Sequence, residues 1–137
     1  MNLQFEDLTI RLAETPTFTV DVLEEVENVL QVVVENREEF PVFVQLDDDQ
    51  ILCTSYLFDH AQVQEGQLVS MQAAMLAMNV PMPLSAFGLI GDRYVIFGAL
   101  ARHASFEDLM HEIEVLSDNS LEAVEAMIDY LKQEKTA

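Results

Sequence analysis

The chain has little positive charge: six Lys and Arg stand against 25 Asp and Glu, a formal net charge of −19 over 137 residues. A surface of that sign repels phosphate, which argues against nucleic acid and anionic membranes as partners and favours basic or apolar protein surfaces. Cysteine is nearly absent as well. Cys53 stands alone, so the chain holds no internal disulfide and no paired-cysteine zinc motif. No apolar run approaches the roughly 18 residues of a membrane span. Met1 to Asp7 lacks the basic-then-apolar order of a signal peptide. The expected address is the cytoplasm, without membrane insertion.

Catalytic signatures are also missing. There is no Gly-x-Ser-x-Gly elbow. Gly88-Leu89-Ile90-Gly91 lacks the Gly-Lys-Ser/Thr ending of a phosphate loop. His60, His103 and His111 show no paired metal-ligand spacing and read as surface or interface residues. Cys53, among Ile51, Leu52 and Tyr56, reads as a buried inert thiol. No catalytic, cofactor-binding or metal-ligating residue is assigned, and no cofactor is expected.

What the chain does have is apolar material: half of it is hydrophobic (50%). A chain of this length buries roughly 68% of its unfolded surface, so residues 1–137 are expected to fold as one domain. Phe5, Leu8 and Leu12 recur at helical spacing before Thr15-Pro16 ends the pattern. Alternation predicts strands over 18–22 and 51–58, a β-branched run another over 29–34, and a third lies over 40–46 with Pro41 near its start, joined by acidic turns at 24–27, 35–39 and 47–49. A second helix is predicted over 63–80, with Leu68, Met71, Met75 and Met78 on one stripe and Val69, Ala73 and Leu76 beside it. Pro81-Met82-Pro83 stops it. Segments 85–90 and 94–100 flank Gly91-Asp92 as a hairpin, and Gly88 and Gly98 within them hint at bulges or close backbone approach.

Ser105 with Asp108 predicts a helix start, and Asn119 with Glu122 repeats the device, so the last helical region is expected to break or kink near residues 117–120. Lys132 and Lys135 suit its C-terminal end. The order reads α-ββββ-α-ββ-α: a two-layer α+β domain with an antiparallel sheet packed by helices.

Two clusters are candidates for partner binding. Met is a flexible filler common both in cores and at adaptable binding surfaces; Met75, Leu76, Met78, Met82 and Leu84 are therefore either a Met-rich core face or an apolar contact. Asp47, Asp48 and Asp49 form either a solvated turn or an acidic contact. Their adjacency differs from the alternate spacing of a calcium loop.

Four stretches resemble the YjfI-like family of bacterial proteins of unknown function. They are Asp49-Gln50-Ile51-Leu52-Cys53-Thr54-Ser55-Tyr56-Leu57-Phe58, Met78-Asn79-Val80-Pro81-Met82-Pro83-Leu84-Ser85, the segment Ile90 to Leu100, and Glu114-Val115-Leu116-Ser117-Asp118-Asn119. The resemblance covers nearly the whole chain and carries no catalytic residues. It implies a connection with phage-shock-protein-A-like membrane-stress proteins, beside which members are often encoded. In element order and acidity the chain is also similar to type III secretion chaperones and YbjN-like proteins. That likeness implies a dimeric fold that binds other polypeptides, although a four-strand meander departs from the chaperones' three. The expected function is a noncatalytic, chaperone-like protein-binding role with a protein partner and a homodimeric state. The alternatives are an acidic nucleic-acid mimic that occupies a basic protein, and a small enzyme whose site forms only in three dimensions.

Overall fold

In the computed structural model, which describes residues 4–133, the alternating first half of the chain becomes a meander. β1 (Phe18–Val22), β2 (Val29–Val34), β3 (Val42–Leu46) and β4 (Gln50–Asp59) pair antiparallel in sequence order. β5 (Ala86–Ile90) and β6 (Arg93–Ala101) form the predicted hairpin, with Gly91 at φ 63° in its turn. β6 pairs with β4, so the sheet runs β1-β2-β3-β4-β6-β5 and its edges are β1 and β5.

Three helices cover one face: α1 (Phe5–Ala13), α2 (Leu68–Asn79) and α3 (Phe106–Met127). Inward residues at period two, such as Leu30, Val32, Val42, Val44, Ile51, Cys53 and Ile96, meet Leu8, Leu12, Met71, Leu109, Ile113 and Leu116 in one buried cluster. Each fully buried side chain of this size contributes about 1.5–3 kcal/mol relative to exposure. α1 lies against β1, α2 against β5, and α3 runs over β3, β4 and β6.

Several boundaries differ from expectation. α2 begins at Leu68, not Val63. His60–Gln62 form a 3-10 turn, Val63 bridges to Leu131, and Gly66 takes φ 83°, which a continuing helix cannot hold. β3 begins at Val42, because Pro41 has no N–H to give the ladder. α3 is unbroken through residues 117–120. Ser105 caps it, accepting from the Asp108 N–H at 3.1 Å. Ser117 and Ser120, in contrast, donate back to the carbonyls of Glu114 and Leu116, so their hydroxyls are satisfied inside the helix. Asn119 is therefore no cap. Lys132 lies beyond α3, past a 3-10 turn at Ile128–Tyr130, because the helix ends at Met127; Lys135 lies outside the described residues.

Candidate functional site

Between Glu65 and Asp92 the sequence has no Asp, Glu, Lys or Arg. This uncharged span builds α2, the connection over 80–85, and the edge strand β5. α2 buries Met71 and Met75 against the core. The stripe beside them, Val69, Ala73, Leu76 and Val80, faces water, with Val69 79%, Leu76 70% and Val80 87% exposed. Leu84 and Leu89 extend it across the connection and onto β5, while Ile90, also exposed, lies on the other face of the sheet. A helix that is apolar all round is normally covered on every side. Here one side is bare. Contiguous exposed apolar surface of this kind marks an interaction site.

Between α2 and β5 lies a groove of about 300 Å³, lined mainly by Gln72, Met75, Leu76, Asn79, Phe87 and Leu89. Two of its polar side chains are already engaged. Gln72 Nε2 donates to the Tyr94 hydroxyl at 2.7 Å, and Asn79 Oδ1 accepts from the Phe87 N–H at 2.7 Å. What remains on offer is chiefly hydrocarbon, which suits an apolar side chain better than a polar metabolite.

The connection is held from below by α3. Asn119 Nδ2 donates to the Pro83 carbonyl at 2.9 Å and to Ser85 Oγ at 3.0 Å. Leu84 sits in the left-handed region at φ 63°, unusual for a non-glycine residue, and these tethers keep its side chain turned outward to solvent. A further depression of about 220 Å³ beneath the connection is lined by Met78, Pro81, Met82, Pro83, Asn119 and Glu122, among others. Glu112, also on α3, is 2% exposed and its Oε1 has no hydrogen-bond partner. Burial pushes its carboxyl above the ordinary carboxylate range, and His111 beside it pulls the other way.

The structure sorts the candidate contact residues. Met75 is 4% exposed: it is core, and it also floors the groove. Leu76 and Leu84 are exposed, while Met78 and Met82 are half-buried. Asp47, Asp48 and Asp49 are exposed at the β3–β4 turn and share no depression with the methionines. Asp47 Oδ1 accepts from the backbone N–H groups of Asp49 (2.9 Å) and Gln50 (2.8 Å), the geometry of a side chain mimicking a turn. Asn28, from the turn between β1 and β2, lies beside them with Arg102, so the first and third acidic turns share one rim.

His60 packs against Tyr94 with their rings tilted, whereas His103 and His111 are exposed. Cys53 is buried, and burial and then the Glu112 carboxylate push its thiol pKa far up, away from nucleophilic use. Among the described residues no group of three or more His, Cys, Asp and Glu comes together as metal ligands. None of the helices among them is long and apolar enough to cross a membrane.

Sequence reasoning did not single out Leu89, Ile90 or Glu112, placed Val69 only beside the apolar stripe, and took Asn119 for a helix cap. The readable signal for Val69, Leu89 and Ile90 was the missing charge between Glu65 and Asp92. For Asn119 and Glu112 there was none, because their partners lie far off in sequence.

An antiparallel sheet covered on one face by helices makes this an α+β protein, a fold it shares with solved secretion-chaperone complexes and with YbjN. The chain belongs to the bacterial family described as "Uncharacterized protein conserved in bacteria (DUF2170)", whose model matches residues 3–131. It is similar to the uncharacterized protein YjfI of Escherichia coli K12, at 24% identity over 127 residues, covering 90% of this chain and 93% of YjfI. Its fold is that of YbjN from E. coli (TM-score 0.69, 14% identity, 97% of each chain covered). It is likewise similar to a chain of the HopA1–SchA chaperone–effector complex (TM-score 0.60, 17% identity, covering 88% of this chain and 90% of that one).

Proposed function

We propose that this protein is a noncatalytic, chaperone-like protein-binding protein of the bacterial cytoplasm that pairs with a second copy through the uncharged face of α2 and β5. One observation carries the reading: in a chain of net charge −19, the exposed stripe of α2, the connection after it and β5 bear no charge at all. Two copies repel each other everywhere else. Face to face here, they bury hydrocarbon without bringing acids together. A twofold contact is self-complementary, and an obligate one buries upwards of about 2,000 Å². The remaining surface, with Asp47, Asp48 and Asp49 on its rim, is then free for a protein client. The fold shared with a chaperone in a chaperone–effector complex supports the client reading.

The test is the oligomeric state of Leu76→Asp and Val80→Asp by light scattering. A dimeric parent that becomes a folded monomer, with circular dichroism unchanged, is the expected result. A monomeric parent, or a dimer that persists in both variants, sinks the pairing. For the client, a tagged pull-down from bacterial cytoplasm is washed at low and then high salt. A stoichiometric protein that survives both washes fits the chaperone-like role, and a phage-shock-protein-A-like protein in that fraction would place it in membrane stress. The net charge also favours a second reading, a nucleic-acid mimic. That reading predicts a basic partner lost at high salt.

A further inference from the structure

Beneath the docking face two oxygens converge. A Cβ added to Gly98 of β6 would overlap Glu112 Oε1 and lie 2.7 Å from the Leu84 carbonyl oxygen. Gly98 is thus the vacancy into which α3 projects its carboxyl, and the Leu84 carbonyl oxygen borders the same vacancy. A carbonyl oxygen and an ionised carboxylate are both acceptors only, and two acceptors facing each other in a dry site repel. A neutral carboxyl supplies the missing O–H.

We infer that Glu112 is a proton-operated latch: protonated, it ties α3 to the Leu84 carbonyl and holds the 80–85 connection in place, and ionised, it lets that connection go. The inference rests on the reading of this face as the docking surface, because the connection carries Val80 and Leu84, two of its exposed apolar residues. Asn119 secures the same segment through Pro83 and Ser85 by bonds that do not titrate. The latch therefore governs Leu84, between the two tethered residues, and leaves the rest of the fold intact.

Few charges surround the carboxyl. Cys53 of β4, paired in register with Gly98, presents a thiol that is neutral across the ordinary pH range. His111 on α3 favours the ionised form. The connection has no titratable side chain, and the ionisable residues of β6, Arg93 and Tyr94, lie toward its hairpin end.

The sign follows from burial. The folded state holds the Glu112 proton more tightly than the unfolded chain does, so the latch is fully closed below the ordinary glutamate pKa and opens as pH rises through the higher folded value.

Methyl NMR of the methionines tests this in the intact protein. Met82 lies in the connection and Met78 in the depression beneath it. In the parent, the Met82 methyl resonance is expected to move with pH, with a midpoint above the ordinary carboxylate range. In Glu112→Gln, whose amide still donates to Leu84, the titration is expected to vanish and the resonance to stay at its low-pH position. His111→Asn, which leaves Glu112 in place, is expected to keep the titration. A Met82 methyl that does not move in the parent, or moves equally in Glu112→Gln, overturns the latch. So does loss of the titration in His111→Asn. Light scattering on the same samples separates the two readings: a titrating Met82 in a protein monomeric at every pH leaves the latch standing and removes the docking role.

Discussion

The two edges of the sheet meet water in opposite ways. β1 carries Asp21 and runs into the acidic turn at Glu24, Glu25 and Glu27, so any strand that approaches it meets negative charge. β5 carries no charge, and Leu89 and Ile90 lie bare on it. Exposed edges are templates for unwanted pairing, and proteins usually guard them with charge, proline or bulges. This protein guards one and leaves the other almost open, with the Asn79 side chain occupying the Phe87 N–H as its sole polar stop among the described hydrogen bonds of that edge. An acidic edge keeps the molecule apart from others; a neutral one lets it meet something.

The largest expected effect comes from driving charge into the neutral side. Met75→Asp puts a carboxylate into the core and should cost upwards of about 3 kcal/mol of stability, read as the shift of a urea unfolding midpoint. Leu76→Asp, the next residue, should change stability by no more than about 0.5 kcal/mol while it breaks assembly. Equal losses at the two positions would erase the distinction between the inner and outer faces of α2. Gly98→Ala crowds Glu112 and the Leu84 carbonyl and should cost about 2–3 kcal/mol by the same measurement. A neutral result there would mean that the seat beneath the connection is loose.

On the acidic side the effects are smaller. Asp47→Ala removes two turn bonds and should cost about 1 kcal/mol. Asp48→Asn and Asp49→Asn, whose side chains make no such bonds, should stay within about 0.5 kcal/mol. Any gain they bring from relieved repulsion should shrink as salt is added. A cost at Asp48 or Asp49 equal to that at Asp47 would mean that the cluster acts as one site and not as a turn.

Much of this architecture was legible in the chain because it rests on short-range rules. Alternation and a β-branched run located the meander strands, Gly91-Asp92 located the hairpin, and Ser105 with Asp108 located the start of α3. Reading failed where distant residues decide. Asn119 resembles a cap, yet its amide is claimed by Pro83 and Ser85, more than thirty residues away in sequence. Val63 fits the periodicity of α2, yet its bridge to Leu131 draws it out of the helix. The candidate face was half legible for the same reason. Met75 and Leu76 are adjacent and both apolar, so composition could nominate them together, and only the packing of Met75 against the core separates their roles.

β4 has consequences for how the chain is made. Its partner on one side, β3, precedes it directly, but its partner on the other side is β6, with Ile51 opposite Leu100. During synthesis the meander can assemble as it leaves the ribosome, while one flank of β4 stays unpaired until α2 and β5 have also emerged. The acidic turns are made first and the uncharged span later. Fifteen of the 25 acids, and only two of the six bases, are therefore in place before the uncharged span that leads to the second neighbour of β4.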